Sequence, residues 1–399
     1  MMSMNTNAKL DLAVIGAGPV GLALALHAAR VLPCARISVF DARPIDQDLS
    51  ADPRTLAMSL GSVQLLQRLG AWDADAAQRI LEVHVSQQPP SLPGVLVGIV
   101  PEPQVRIRAI EEAVPMLGAV LGYGAIVRPL QAAWLAAAAQ EPQRLQTRFG
   151  AKVNALKPVA DGVELDAGIA ERFDLAVVAE GGVFSDQARK AVVHDYQQSA
   201  WVGTVTLGQP RPGVAYERFT RHGPAALLPL RDGRAALVWC VGSRDDPVAE
   251  LSEAQRLAVL NTVFHPEVGR IVEMSPLKCF ALGLNAERSL AQGRTVRIGN
   301  AAQTLHPVAG QGLNLGMRDA FELVRALAKS SDIDAVLRRL EWKRGPDRWA
   351  MIAATDFLAR SFTWRLPGAG AVRGLGMAAL ERVRPIKSAV ARQMMFGSR

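Results

Sequence analysis

The sequence is poor in aromatic residues and in cysteine. Its 399 residues include only 3 Tyr and 3 Cys, and aromatic side chains make up 5% of the chain. Proteins that hold single-stranded nucleic acid need rings on which bases stack, so this composition argues against a nucleic-acid partner. Cys34, Cys240 and Cys279 are far apart and show no CxxC or Cys/His ligand spacing. The sequence therefore indicates neither a disulfide framework nor a zinc site, and it predicts buried thiols in a reducing compartment.

The sequence also lacks an N-terminal apolar run long enough to cross a membrane. The first such run, residues 12–26, is too short to span a bilayer and contains three glycines and one proline. No cleavable leader is expected before it. We therefore predict a strand, a turn and a helix in this region, and a cytoplasmic protein.

The remaining composition is that of a globular protein with an uneven charge. Apolar residues make up 49% and charged residues 21%, which excludes a disordered or fibrous chain. The net charge is +8, and residues 338–399 carry 13 basic and 4 acidic side chains. A basic C-terminal segment on a nearly neutral body suggests contact with an anionic membrane or partner. A solvated, arginine-rich helical face explains the same charge equally well.

A glycine motif follows the first predicted strand, at residues 10–15. The letters G-A-G-P-V-G place Gly16, Gly18 and Gly21 at the G-x-G-x-x-G spacing, and an apolar helix follows them. The first glycine permits a tight turn, the second lets the backbone approach a pyrophosphate, and the third lets the helix pack closely on the strand. A second strand ends at Asp41, where an acidic side chain accepts from ribose hydroxyls. This combination predicts a dinucleotide site, without separating FAD from NAD.

A second glycine-rich segment lies far downstream. A predicted strand at residues 295–298 runs into G-N-A-A-Q-T-L-H-P-V-A-G-Q-G-L-N-L-G, residues 299–316, and a helix is predicted at about residues 313–328. A glycine-rich loop that leads into a helix N-terminus is a site for negative charge. The anionic pyrimidine edge of a reduced flavin ring suits such a site.

With these two segments the chain resembles the FAD-dependent aromatic hydroxylases of the para-hydroxybenzoate hydroxylase fold. Within that fold it is most similar to the ubiquinone-biosynthesis hydroxylases, in particular the branch that acts on 2-polyprenyl-6-methoxyphenol. The resemblance runs nearly end to end. It also includes the letters D-P-R at residues 52–54, V-R-P-L-Q at 127–131 and A-L-L-P-L at 226–230.

The resemblance implies how the nucleotide and ribityl parts of FAD are bound. The three motif glycines and Asp41 would bind the ADP half. Arg54 and Arg128 would hold the ribityl–pyrophosphate region, with Gln131 nearby, and Asn300 would hydrogen-bond the ribityl hydroxyls.

The resemblance also implies the ring environment and the reaction. Pro307 would line the flavin near its oxygen-reacting carbon, and the backbone of Gly312, Leu313 and Asn314 would meet the pyrimidine edge. NADH or NADPH would be a transient reductant without a Rossmann domain of its own, since only one G-x-G-x-x-G follows a strand. O₂ would form a flavin hydroperoxide that hydroxylates a polyprenylated phenol. The protein would have to exclude water and would supply no catalytic side chain itself.

Two positions depart from the broad family pattern. The usual Gly-Asp is Gly-Asn here, with Asn300, and the usual Ala-Asp-Gly is Ala-Glu-Gly, with Glu180. Asn keeps an acceptor but loses the charge, so its hydrogen bond is weaker, whereas Glu keeps the charge on a longer stem. We interpret Asn300 as a trait of the subgroup and keep Glu180 among the cofactor-binding residues.

The predicted fold class is α/β, with a discontinuous Rossmann-like FAD-binding domain, an antiparallel-sheet substrate domain and a helical C-terminal segment. The substrate-domain sheet is predicted from six strand-like runs, at residues 81–86, 201–207, 214–219, 225–230, 235–241 and 275–282, with a covering helix at 252–264. The three parts are assigned to residues 1–82, 123–185 and 284–330; 83–122 and 186–283; and 331–399.

The C-terminal segment is predicted to be helical and to contact a membrane surface. Helices are expected at residues 333–343, 346–358 and 372–396, the last broken at Pro385. A basic amphipathic end suits weak, salt-sensitive binding at the inner face of a membrane. A core or dimer contact explains the same apolar stripe. The residues concerned are Arg382, Arg384, Lys387, Arg392, Met394, Met395 and Phe396.

Two other functions stay open at this level. One is a flavin enzyme acting on a soluble aromatic compound, although the W-x-W-x-I-P signature of halogenases is absent. The other is a non-catalytic flavoprotein subunit of a lipid-biosynthetic assembly, which Asn300 and Glu180 alone favour. A homo-oligomer and a ubiquinone-biosynthesis assembly are both compatible with the sequence.

Overall fold

The computed structural model describes residues 10–50, 52–89, 102–180, 190–244, 246–306, 310–361 and 368–397. Within these ranges the chain forms eight α-helices and two short 3-10 helices, at Pro266–Val268 and Gly299–Ala301. The α-helices are α1 (Pro19–Val31), α2 (Leu60–Arg68), α3 (Tyr123–Gln140), α4 (Glu253–Val263), α5 (Gln311–Leu327), α6 (Ile333–Ser361), α7 (Ala369–Arg382) and α8 (Arg384–Phe396).

The same part of the chain contains 21 strands in four sheets. In chain order they are β1 (Asp11–Ile15), β2 (Arg36–Asp41), β3 (Thr55–Ser59), β4 (Gln78–Ile80), β5 (Glu82–Gln87), β6 (Gln104–Arg108), β7 (Gly118–Gly122), β8 (Leu145–Phe149), β9 (Ala155–Val159), β10 (Gly162–Asp166), β11 (Ala170–Phe173), β12 (Leu175–Val178), β13 (Lys190–Leu207), β14 (Val214–Thr220), β15 (Gly223–Pro229), β16 (Arg234–Gly242), β17 (Ile271–Met274), β18 (Lys278–Glu287), β19 (Ala291–Gln292), β20 (Thr295–Arg297) and β21 (Gln303–Thr304).

A six-stranded sheet forms the first layer, in the order β19-β20-β12-β1-β2-β8. All neighbouring strands are parallel except β19, which pairs antiparallel with β20. Strand β1 is apolar on both faces, and Leu12 and Val14 are fully buried, as expected for a parallel strand covered on both sides. Because β1 lies between β2 and β12, the sheet has a topological switch point at its carboxyl end, where ligands bind in open α/β sheets.

A nine-stranded sheet forms the second layer, in the order β21-β18-β13-β16-β15-β14-β5-β6, with β17 paired to β13. Its outer face packs against α4 through a cluster that includes Trp239, Leu260 and Phe264. Its inner face, which carries Val85 and Leu228, packs against the core around the first sheet. The remaining strands form two three-stranded sheets, β11-β10-β9 and β3-β7-β4.

Each of the six predicted strand runs overlaps a strand of the nine-stranded sheet, and α4 lies where a helix was predicted. The helix begins with a capping box, in which Ser252 and Gln255 each bond the other's backbone N–H. The expectation of a purely antiparallel sheet is wrong at one pairing, because β14 runs parallel to β5. These strands are joined by a long stretch of chain, so no hairpin constrains their relative direction. Strand β7, in the range we assigned to the substrate domain, pairs with β3 and β4.

The prediction of a helix break before Pro346 is wrong, because α6 continues through this proline. A proline removes one backbone hydrogen bond but need not end a helix that is held from outside. Here Arg344 Nε donates to Asp319 on α5 at 2.8 Å, and Arg344 Nη1 donates to Asp347 at 2.6 Å. All three side chains are buried, so the turns on both sides of Pro346 are fixed against α5. The predicted break near Pro385 is confirmed, since α7 ends at Arg382 and this proline lies in the first turn of α8.

Two of the seven C-terminal residues predicted to contact a membrane surface, Lys387 and Met395, are buried instead. Lys387 is 5% exposed, and its Nζ donates to the backbone of Arg106 at 3.0 Å and to Glu381 at 3.2 Å. Met395 is 4% exposed and belongs to the main hydrophobic core. One face of α8 points inward, because Lys387 bonds to β6 and α7 and Met395 packs beside Gly61 of α2, and no local pattern shows this. The exposed residues of this hairpin include two arginines and three apolar side chains: Arg382, Arg384, Val383, Ile386 and Val390.

The expectation of buried thiols holds only for Cys240, since Cys34 and Cys279 are exposed. Cys34 lies in the turn after α1, and Cys279 near the start of β18. Among the helices that the structure describes, none combines the length and the apolar character that a bilayer crossing requires.

Candidate functional site

The G-x-G-x-x-G turn lies at the carboxyl end of β1, at the switch point. Gly16 has φ +101°, and a Cβ built there would lie 2.9 Å from Cβ of Glu180. A Cβ on Gly21 would lie 1.9 Å from the carbonyl oxygen of Gly16, so α1 and the turn are in direct backbone contact. Among the residues that the structure describes, a Cβ on Gly18 would meet only the Tyr123 hydroxyl, at 3.7 Å. Gly16 and Gly21 therefore allow close packing of the backbone, whereas the absence of a side chain at Gly18 lets a ligand approach the N-terminus of α1.

Two carboxylates meet at this edge of the sheet. Asp41 ends β2 and accepts hydrogen bonds from the backbone N–H of Ala17 at 2.5 Å and of Arg43 at 2.7 Å. Glu180 follows β12, and burial raises the pKa of its carboxyl, with a further contribution from the nearby Asp41. Asp41 thus holds the glycine turn while keeping acceptor capacity, and Glu180 is its neighbour across β1.

Arg43 is a site residue that the sequence reasoning missed. Its Nη2 donates to the carbonyl of Ala17 at 3.2 Å, and its Nε lies 3.9 Å from Asp41. Its Nη1 is buried and has no hydrogen-bond partner among the described residues. A buried guanidinium N–H without a partner is costly, so this donor fits a bound phosphate or another anion at the turn. The sequence signal that could have indicated this role is a basic residue two positions after Asp41, which ends β2.

Arg54 and Tyr123 lie on the other side of the turn. The Arg54 guanidinium stacks 3.8 Å from the Tyr123 ring centroid, and its Nη2 is 2.6 Å from Asp52. The hydrogen bonds from Arg54 hold the pKa of the Asp52 carboxyl below its ordinary value. Because the Tyr123 hydroxyl is close to Gly18, the start of β3 and the N-terminus of α3 border the same space as the N-terminus of α1. Tyr123 has no motif around it that would have singled it out.

Two further predicted residues lie on α3 beside the loop of residues 42–50. Arg128 is exposed and acts electrostatically on Asp48 of that loop. Gln131 Nε2 donates to the carbonyl of Ile45 at 2.9 Å, while its Oε1 is buried and unpartnered within the described chain. Gln131 therefore anchors the loop and still offers an acceptor.

The second glycine-rich segment packs directly on the first. Asn300 is exposed on the 3-10 helix after β20, and its Oδ1 lies 3.7 Å from a Cβ built on Gly312. A Cβ on Gly316 would lie 2.7 Å from Cα of Gly299 and 2.9 Å from Val20 of α1. This close approach brings Asn300 and the first turn of α5, with Gly312 and Leu313, to the N-terminal end of α1.

Asn314 has a structural side chain. Its Oδ1 accepts from the backbone N–H of Ser59 and from the hydroxyl of Ser62, both at 2.8 Å. Its Nδ2 donates to the carbonyls of Ala57 and Gly310, both at 3.1 Å. With its amide fully engaged and 2% exposed, Asn314 fixes the start of α5 to β3 and leaves the backbone around it for ligands. Pro307 lies outside the described residues.

His306 links the second segment to the nine-stranded sheet. Its Nε2 forms a hydrogen bond with Oε1 of Gln198 on β13 at 2.9 Å, and its ring lies edge-on to Tyr196 with centroids 5.1 Å apart. Burial lowers the pKa of His306 to about 4, so the ring is neutral at physiological pH. This contact joins the second glycine-rich segment to β13 of the nine-stranded sheet.

The comparisons with known proteins identify this arrangement. A family model described as an FAD binding domain matches residues 170–352. The 3-demethoxyubiquinol 3-hydroxylase of Escherichia coli (strain K12) is 30% identical over 399 aligned residues, which cover 96% of this chain and 97% of that protein. The chain belongs to the FAD-dependent ubiquinone-biosynthesis hydroxylases. The ubiquinone hydroxylase UbiL of Rhodospirillum rubrum is also similar to this hydroxylase, with 29% identity over 96% of this chain and 89% of that protein.

The hydroxylase shares its fold with Klebsiella pneumoniae HpxO, whose structure was solved with FAD and uric acid. The TM-score is 0.72 at 16% sequence identity, and the match covers 97% of each chain. The predicted para-hydroxybenzoate hydroxylase fold and the predicted family are thus confirmed. The protein is an FAD-dependent aromatic monooxygenase, for which NAD(P)H is the reductant.

The geometry at the switch point fits FAD. Gly18 leaves a bare backbone approach, Arg43 offers an unpartnered buried donor, and Asp41 and Glu180 are acceptors at the ends of neighbouring strands. A pyrophosphate needs the first two features, and ribose hydroxyls need the third.

Proposed function

We propose that this hydroxylase oxidises the ring of a polyprenylated phenol in ubiquinone biosynthesis, of the 2-polyprenyl-6-methoxyphenol type, with O₂ as co-substrate. The observation that carries the proposal is the end-to-end similarity to two proteins named as ubiquinone or demethoxyubiquinol hydroxylases. The site supports it, because the two glycine segments meet at the switch point and the second is joined to the nine-stranded sheet through His306 and Gln198.

In this proposal the chain binds and orients the cofactor and keeps water away from it. Bound FAD supplies the redox and oxygen-activating chemistry. The N-terminus of α1 and Arg43 hold the pyrophosphate, and Asp41 with Glu180 accepts from ribose. The proposed cofactor-binding residues are Gly16, Gly18, Gly21, Asp41, Arg43, Arg54, Arg128, Gln131, Glu180, Asn300, Pro307, Gly312, Leu313 and Asn314.

The neutral His306 and the engaged Asn314 have a supporting part in this proposal. They fix the second segment between β3 and β13, so that the backbone N–H groups of the first turn of α5 are aimed at one place. A helix N-terminus of this kind stabilises negative charge on the pyrimidine edge of the flavin ring. The division into an FAD-binding domain, a substrate domain and a C-terminal helical segment, with the residue ranges given above, belongs to the same proposal.

We also propose that the protein contacts the membrane surface through the exposed side of α7 and α8. A polyprenylated phenol resides in the bilayer, so its hydroxylase has to meet that surface. Arg382 and Arg384 are exposed next to Val383, Ile386 and Val390, which are 41%, 55% and 38% exposed. Cationic and apolar side chains on one surface favour weak binding to anionic lipid.

The test is turnover by the purified protein. With FAD, NAD(P)H and O₂, a 2-methoxyphenol that carries a short prenyl chain is expected to gain one oxygen atom, detected by mass spectrometry. The control is the same phenol with its free ring positions blocked by methyl groups, which should leave reductant consumption uncoupled from product. If the flavin-loaded protein oxidises NAD(P)H and never hydroxylates any prenylated phenol, the proposed substrate class is wrong.

A further inference from the structure

A carboxyl group stands alone on the inner face of the nine-stranded sheet. Glu217 lies on β14, opposite Ala226 of β15 and beside Val85 of β5 in the strand register. Side chains alternate along a strand, so Glu217 points to the side opposite to Tyr216, which belongs to the cluster on the α4 side. Glu217 therefore points towards the half of the molecule that carries the glycine segments.

The surroundings of Glu217 are apolar and small. Ala215 and Val85, on the same face, pack against the core around the first sheet. Phe219 on this face contacts Val85 and Leu358 of α6. The titratable neighbour is the buried thiol of Cys240 on β16, whose pKa is raised by burial and by Glu217. The carboxyl is thus set in an apolar wall with an alanine directly across from it.

Glu217 is partly exposed. Within the described chain its carboxyl has neither a hydrogen-bond partner nor an ion pair. Burial alone raises its pKa, from an ordinary 4.5 to about 8. Apolar surroundings disfavour the charged form of an acid that no neighbouring side chain pairs, so the protonated carboxyl keeps hydrogen-bonding capacity for a ligand. A carboxyl whose pKa is shifted by its surroundings and which no neighbour pairs is a candidate ligand contact.

We propose that Glu217 binds the ring hydroxyl of the phenol substrate and so sets which ring carbon faces the flavin. This inference rests on the proposed function, because it takes the ligand to be a phenol. A protonated carboxyl is both donor and acceptor, and so is a phenol hydroxyl, so the two groups satisfy each other without a net charge. The neighbours placed on this face by the register and the packing, Ala226, Val85, Ala215 and Phe219, are uncharged and cannot pair with a carboxylate. The site therefore selects a neutral phenol over a hydroxybenzoate.

The test compares Glu217→Leu with Glu217→Gln, which keeps a donor and an acceptor. Each variant is assayed with a short-chain prenylated 2-methoxyphenol and with the methyl ether of that phenol, which cannot donate. We expect the wild type to prefer the phenol over the ether about tenfold in KM, the value of one hydrogen bond between neutral groups. Glu217→Leu should raise KM for the phenol about tenfold and lose the preference, while Glu217→Gln stays within about threefold of wild type.

Controls separate binding from folding and from turnover. Glu273→Leu, the same change at an exposed position on β17, should leave KM and the preference unchanged. FAD content and thermal stability should be at least as high in Glu217→Leu as in wild type, since an apolar residue replaces an unpaired acid. If Glu217→Leu keeps the wild-type KM and the preference for the phenol, the inference is wrong.

Ligand binding is also read from the change in flavin absorbance, which does not depend on turnover. Three results together would support the inference and overturn the proposed function. The wild type binds the phenol more tightly than the ether, Glu217→Leu binds the two equally, and the wild type forms no product. Wild-type protein that binds neither compound would overturn both.

Discussion

Gly18→Ala and Gly21→Ala add the same methyl group three residues apart, and we expect opposite consequences. Within the described part of the chain a Cβ on Gly18 meets only the Tyr123 hydroxyl, at 3.7 Å, and the backbone there has φ −76°, which any residue adopts. The apoprotein should therefore lose no more than about 1 kcal/mol of stability at this helix N-cap. The added methyl group does occupy the space through which a phosphate would approach the N-terminus of α1. Losing one charge-assisted hydrogen bond to phosphate costs about 1.5–3 kcal/mol, so FAD should bind about 10- to 100-fold more weakly.

At Gly21 the added Cβ would lie 1.9 Å from the carbonyl oxygen of Gly16, so α1 has to move away from the turn. Forcing extra atoms into a packed core costs about 1–3 kcal/mol, and we expect this loss in the free energy of unfolding of the apoprotein. The assay combines FAD titration by fluorescence with urea unfolding of flavin-free protein, because bound FAD would itself stabilise the fold. Wild-type FAD affinity in Gly18→Ala, or unchanged apoprotein stability in Gly21→Ala, would refute this assignment of packing and binding roles.

Three further outcomes are expected. Arg348→Met removes buried hydrogen bonds to the side chain of Gln303 and to two backbone carbonyls, and urea unfolding should show a loss of about 3 kcal/mol. Because folding raises the pKa of Glu217 from 4.5 to about 8, the wild type should lose stability relative to Glu217→Gln as pH rises through this range. Relative to Glu217→Gln, the free energy of unfolding of the wild type should fall by up to about 5 kcal/mol from pH 4.5 to above pH 8, with solvent access to the carboxyl reducing this value, measured by unfolding at each pH. Changing Arg382 and Arg384 together to Gln should weaken sedimentation with anionic liposomes by about 2 kcal/mol at low salt, and equal sedimentation of both proteins would exclude this face.

The local patterns identified most of the elements that build the site. The G-x-G-x-x-G letters, their flanking apolar runs and the acidic end of β2 predicted the strand, turn and helix that hold Gly18 and Asp41. These features depend on neighbours in the chain, since turn geometry, strand alternation and helix starts are local properties. The capping box at the start of α4 is another local signal that the structure bears out.

Positions that depend on distant partners were harder to predict. Pro346 breaks the local helical pattern, yet α6 continues because buried ion pairs to Asp319 and Asp347 hold it. Lys387 matches the basic side of an amphipathic helix, yet it is buried against Arg106 and Glu381. In both cases a tertiary contact outweighs the local preference.

The sequence by itself determined the fold class, the flavin family and the glycine turn after β1, because each has a signature in contiguous residues. Only the tertiary structure decided which side chains share one space. Arg43 and Tyr123 are brought to the glycine turn by separate elements, and strand register places Glu217 on the face of β14 that packs towards the core around the first sheet. Register and sheet-on-sheet packing are set by contacts between residues far apart in the chain, so no stretch of sequence encodes them locally.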